Sequence, residues 1–151
     1  MRNPEETSRI TVTGRQSDPG ASESGGQEIT VTADARCRYV GDRFHIVYTD
    51  GGIRTHIIIG NGRMEIRRSG GISSEMVIEP GQTHPMTYRT AEGSLSFDVA
   101  ADTLTFHQEG DVFLAKASYR LLSDDTVLAR NETDIQIKGP GGKQHAGTRI
   151  L

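Results

Sequence analysis

The stretch "GDRFHIVYTDGGIRTHIIIGNGRMEIRRSGGISSEMVIEP", residues 41–80, decides the fold. Four runs alternate with period two, and "DGG", "GNG" and "SGG" separate them. That is the pattern of short strands joined by tight hairpins. One parity collects Phe44, Ile46 and Tyr48, then Ile53, Thr55, Ile57 and Ile59. It continues through Met64, Ile66 and Arg68 to Ile72, Ser74, Met76 and Ile78. This side is the predicted interior, and Arg68 is the one cation placed on it.

The same alternation extends in both directions. Upstream, "RITVTG" places Ile10 and Val12 on one face, and a long strand carries Ile29, Val31, Ala33, Ala35, Cys37 and Tyr39 inward. Downstream come Met86–Tyr88–Thr90, Leu95–Phe97–Val99 and Leu104–Phe106. Two longer strands follow, with Phe113 to Leu121 and Val127 to Ile137 at alternate positions inward. No long segment has helical periodicity. All eight aromatic residues fall on the inward parity. Roughly ten short strands with no helix to cover a face dispose of their edges best by curling into a closed antiparallel barrel. A two-sheet sandwich is the alternative.

The 151 residues are one domain's worth of chain, able to bury roughly 68–70% of the unfolded surface. The domain is expected over 9–138, with a flexible Gly/Ser-rich loop at 16–27 and a disordered tail at 139–151. A net charge of −3, with both signs interspersed, gives no basic stripe for nucleic acid. The longest apolar runs are too short for a spanning helix. The N-terminal "MRNPEETSR" lacks the apolar core of a secretory leader, and a lone Cys37 cannot form an internal disulfide. A cytoplasmic location is the expectation.

The middle and end of the chain resemble a known group. The spacing "RRSG…EPGQTHPMTYRTAEGSLSFDV", then "FLAKASYRLL" and a last strand containing Asn131, is similar to the YwiB-like family of uncharacterised bacterial proteins. Tyr48, Thr55, Arg68-Ser69-Gly70, Gly81, Tyr88-x-Thr90-x-x-Gly93 and Tyr119 carry the likeness, which runs from about Ile10 to Ile137. The resemblance implies a calycin-like, up-and-down β-barrel of about 8–10 strands, the architecture of lipocalins and fatty-acid-binding proteins. It implies no activity. The 16–27 loop and the glycine-rich tail depart from the pattern.

Arg68 is the sharpest candidate for function. A buried cation costs several kcal/mol unless paired, and the inward positions offer hydroxyls and amides (Tyr48, Thr55, Tyr88, Thr90, Tyr119, Asn131) but no carboxylate. An arginine so placed suits a ligand's carboxylate or phosphate. The plainer and preferred reading puts Arg68 at the barrel rim, because a bulge beside the turn would flip its parity. Packed core likewise comes ahead of a cavity as the role of the inward aromatics.

Other chemistry is thin. The five histidines give no metal-ligand spacing on one face: His45, His56 and His107 point outward, His84 lies in the "EPGQTHP" loop and His145 in the tail. A barrel can bring His45 and His56 together across neighbouring strands. Ser69, Ser73 and Ser74 lack an inward histidine as base. Glu75 and Glu79 stand about 13 Å apart along a strand, too far for paired acid–base work. The expectation is a non-enzymatic barrel without metal or cofactor. It would bind a small anionic or amphipathic molecule through Arg68, Tyr48, Tyr88, Tyr119, Thr55, Thr90 and Asn131, with Phe44, Phe97 and Phe106 on the ligand's apolar part. The alternative is a protein-interaction module with a filled barrel, working through its outer faces or the "EPGQTHPMTY" loop, as a monomer or homodimer.

Overall fold

The computed structural model describes residues 6–19 and 26–139. Ten strands follow in order: β1 Glu6–Ser17, β2 Gln27–Val40, β3 Arg43–Asp50, β4 Ile53–Gly60, β5 Arg63–Ser69, β6 Ile72–Ile78, β7 Thr83–Thr90, β8 Gly93–Glu109, β9 Val112–Ser123 and β10 Thr126–Lys138. Each pairs antiparallel with the next, and β1 pairs with β10 as well as β2, so the meander closes into a barrel. Closure pairs every strand on both sides, for part or all of its length.

The hairpins follow from turn chemistry. Asn61 and Gly62 between β4 and β5, and Asp124 and Asp125 between β9 and β10, all have positive φ. Two consecutive left-handed residues suit the right-handed twist of the strands they join.

Three features depart from the sequence reading. The runs around Phe97 and Phe106 belong to one strand, β8, whose register shifts between Ala101 and Thr103. That bulge keeps both Val99 and Leu104 inward where strict alternation would not. β1 and β2 continue as a ladder to Gln16↔Gln27, so the ends of the predicted 16–27 loop are strand. His84, expected in a loop, is on β7. Of the tail, only Gly139 is among the described residues.

The interior is graded along the barrel axis. One cross-strand row, Tyr39–Phe44–Ile59–Met64–Ile78, is apolar, and Ile10–Ile137–Phe113 adds to it from the other wall. All but Tyr39 of these are nearly inaccessible to solvent. Phe44 packs edge-on to Phe113 at 5.3 Å between ring centres and stacks on Tyr39 at 4.8 Å, which seals this end. Towards the other end the row Tyr48–Thr55–Arg68–Ser74–Tyr88 is polar, as is Gln16–Asn131–Tyr119 opposite.

The wall is incomplete at one place. β6 and β7 pair only through Ile72–Ser74 with Thr90–Tyr88, whereas β7 pairs with β8 along its whole length. The turn after β6 ties instead to β8, with the Gly81 N–H donating to the Ala101 carbonyl at 3.1 Å. Pro85, with no N–H to offer, lies on the unpaired stretch.

Candidate functional site

At the polar end the barrel holds a cavity of about 400 Å³, within the range that small-molecule sites occupy. Tyr48 from β3, Arg68 from β5, Tyr119 from β9, and Asn131 and Thr133 from β10 give it polar walls, while Val12 and Val31 give an apolar one. The parity of β5 survives to its end: Arg68 pairs with Thr55 on one side and Ser74 on the other, with no bulge. Arg68 is therefore an interior residue at the level of the mouth, half-buried.

Arg68 makes no hydrogen bond and no ion pair with any of the described residues. Asn131 Oδ1 is likewise buried without a partner. A buried acceptor left open is costly unless something else completes it, and the half-buried Arg68 guanidinium lines the same cavity without a partner. Tyr119 is 8% exposed, and burial pushes its phenol pKa up. Its hydrogen bond with Thr133 and the positive charge of Arg68 act in the opposite direction.

Not every expected residue reaches this cavity. Thr55 is buried beside Arg68 in the ladder but is not part of the cavity wall. Tyr88 is half-buried on β7, outside the lining. Thr90 serves its turn, donating to the Gly93 carbonyl at 3.3 Å and accepting from the Glu92 N–H at 3.1 Å. Phe44 belongs to the sealed apolar end, and Phe97 and Phe106 also lie away from the cavity. Gln16 and Gln27 do line it; their loop-like composition hid them, and only the pairing of β1 with β2 reveals them.

A second cavity, about 530 Å³, occupies the gap between β6 and β7. Its lining includes outward residues (Arg67, Glu75, Arg89) and inward ones (Arg68, Ser74, Met86), so it passes through the wall. Arg68 lines both cavities and is the link between them.

The outer wall has its own order. Glu65, on an outward position of β5, is nonetheless buried, because Arg63 and Arg67 both reach it at 3.0 Å and Arg43 at 3.9 Å. The alternation R-x-E-x-R over 63–67 is the trace this leaves in sequence. His45 and His56 do meet across β3 and β4, with Nδ1 to Nε2 at 2.9 Å. Burial and neighbouring arginines hold both imidazole pKa values below the ordinary range. The same arginines oppose a metal cation, and no cluster of three metal-ligating side chains exists among the described residues. His84 on β7 contacts Glu79, which follows β6, at 3.0 Å. Cys37 is buried, and desolvation lifts its thiol to about 11 despite a hydrogen bond from Ser8, so it is a poor nucleophile.

Fold and cavity together define a closed, ten-stranded antiparallel barrel with a polar chamber at one end. The family model described as a domain of unknown function, DUF1934, matches residues 10–135, and the chain belongs to that family. Among solved structures, the ywiB protein from Bacillus subtilis is similar, with a TM-score of 0.77 at 13% identity over 91% of this chain and 94% of that one. At that identity the likeness is one of fold. No curated protein matches.

Proposed function

We propose that this protein is a non-enzymatic, cytoplasmic carrier or sensor that holds a small anionic or amphipathic molecule in the chamber at the polar end. The observation that carries this reading is Arg68: a half-buried guanidinium that faces the cavity and makes no hydrogen bond or ion pair with the described residues, while the carboxylate that also lines the cavity, Glu132, lies 3.6 Å from Arg15. A carboxylate or phosphate would complete it, since the guanidinium fork bonds either in two-point fashion. The open Asn131 oxygen would accept from a donor on the same ligand, and Val12 and Val31 would cover an apolar portion. The alternative, an interaction module, requires a filled barrel, and a chamber of about 400 Å³ favours the carrier.

The test is native mass spectrometry of gently purified protein, followed by titration with the anionic dye 1-anilinonaphthalene-8-sulfonate. A small molecule that travels with the folded chain, or dye binding that weakens roughly tenfold in Arg68→Met, is expected from loss of one charged hydrogen-bonding partner. Equal dye affinity in the folded Arg68→Met variant would remove Arg68 from the site. No co-purified molecule and no dye binding to the native chain would remove the carrier reading itself.

A further inference from the structure

We propose that the mouth-side half of β2 is an interaction surface for a second copy of this chain: the two β2 strands pair antiparallel about a two-fold axis at Thr30 and join two barrels edge to edge. This contact is independent of what the chamber holds.

β2 pairs with β1 over Gln27–Cys37 but with β3 only over Ala35–Val40. The cause is a mismatch of strand lengths. β3 reverses at Gly51 and Gly52, both with positive φ, whereas β1 runs on to Ser17 to complete its ladder with β10, and β2 follows it. Over Gln27–Asp34 every second residue therefore directs its N–H and C=O away from β1, with no ladder partner among the described residues.

Such an edge templates pairing unless it is guarded. This one carries none of the usual guards. "QEITVTAD", residues 27–34, contains no proline and no lysine, and its register against β1 has no bulge. Ile29, Thr30, Val31 and Thr32 are all β-branched, the side chains that favour strand pairing. Its two acids are already neutralised from β1, Glu28 by Arg15 and Asp34 by Arg9, each at 2.8 Å. Ile29, at 67%, is the most exposed large hydrophobic side chain among the described residues.

Self-pairing suits this stretch in one register. A two-fold axis keeps the inward faces of both copies on one side of the joined sheet, so some residue must stand opposite its own copy. With Thr30 opposite the partner's Thr30, Ile29 faces the partner's Val31 and Glu28 faces the partner's Thr32. Apolar groups then meet apolar ones, and hydroxyls meet across the axis. Moving the axis to Val31 sets Glu28 against the partner's Asp34, and moving it to Ile29 sets Gln27 against the partner's Val31. Ile29 and Val31 also line the chamber, so each copy's Ile29 covers the rim of the other's chamber. A second unpaired stretch lies on β8, which meets β7 only as far as Ala100. It begins at the bulge between Ala101 and Thr103, and a bulge twists an edge away from partners.

The experiment is sedimentation velocity of the full chain from low micromolar to millimolar concentration. A reversible dimer is expected. Thr30→Lys sets two ammonium groups opposite each other at the axis, and because Thr30 is exposed the barrel itself should tolerate the change. Its dimer should be roughly tenfold weaker or more. Thr105→Lys, the same change at an exposed position of β8, should leave the dimer as it is. Thr30→Cys reads the register directly. Opposed Cα atoms lie about 4.5–5.5 Å apart, within disulfide reach, so mild oxidation should link two chains. Thr32→Cys, whose copies would lie roughly 13 Å or more apart, should not link. Cys37 is buried, and the native chain under the same oxidant gives the baseline. A monomer throughout the range, or a dimer weakened by Thr105→Lys and not by Thr30→Lys, would overturn the proposal. Linking of Thr32→Cys as readily as Thr30→Cys would overturn the two-fold axis at Thr30. None of these outcomes bears on the carrier reading.

Discussion

Arg68 on β5 and Tyr119 on β9 stand four strands apart in the barrel order, yet both line one chamber, and the guanidinium charge lowers the phenol pKa that burial raises. Replacing Arg68 by Met removes an unpaired, half-buried cation and keeps a similar volume. The variant should be more stable by about 1 kcal/mol, as when a poorly compensated ion gives way to an apolar side chain. Urea unfolding measures this. The Tyr119 phenol should ionise at higher pH in the variant, visible in its ultraviolet absorbance. A less stable variant would mean that Arg68 has a structural partner after all.

Glu65 binds three arginines from a buried outer position. In Glu65→Gln the carboxylate charge is lost while Arg43, Arg63 and Arg67 remain close together. Because those arginines are a third to a half exposed, solvent screens part of the cost. A loss of about 1–2 kcal/mol is expected, and it should shrink in high salt. A salt-independent loss would point to packing instead.

Gly70, in the turn between β5 and β6, has φ +122°, and a Cβ there would lie 2.5 Å from the Gly52 carbonyl oxygen. That oxygen is backbone and cannot rotate away. Gly70→Ala should cost about 2 kcal/mol or more and disturb the end of β5 that positions Arg68. Thermal unfolding gives the first effect and dye binding the second. An unchanged melting temperature would contradict the close approach of the two turns.

Cys37 has its thiol pKa raised by burial from 9.0 to about 11. The unfolded chain then releases this proton more readily than the folded one. The stabilising contribution is complete below pH 9 and is lost as pH rises through about 11, amounting to about 3 kcal/mol. Denaturant unfolding of the native chain and Cys37→Ala across the alkaline range isolates it: the difference between the two should narrow as pH rises. Parallel curves would show that the thiol titrates normally.

Much of the architecture is local in origin and could be read from residues alone. "IRTHIIIG" and "RMEIRRSG" alternate, and "GNG" between them permits only a tight reversal. Their registers, Ile59↔Met64 and Thr55↔Arg68, follow from that turn. The bulge in β8 was not legible in the same way. "VAADTL" carries no glycine or proline to mark it, and the shift between Ala101 and Thr103 reflects how β8 must bend against β9. The candidate site was legible in part. Arg68, Tyr48, Tyr119 and Asn131 share an inward parity, but parity cannot say at which height in a barrel a residue sits. Tyr88 and Thr90 satisfy the same parity and fall outside the chamber.

By itself, then, the sequence determined most of the strands, their inward faces away from the β8 bulge and the tight hairpin registers, because side-chain alternation and turn conformation act over a few residues. The inward residues also change character along each strand, from Phe44 to Tyr48, from Ile59 to Thr55 and from Ile137 to Asn131. Only the tertiary structure decided that these polar ends gather at one mouth. Closure of β1 on β10 brings Asn131 and Arg68 to one chamber, and the short β6–β7 pairing opens the wall beside it. The meeting of His45 with His56 likewise depends on the stagger of β3 against β4. Those are contacts between residues distant in the chain, and their energies depend on which surfaces closure brings together, not on local conformational preference.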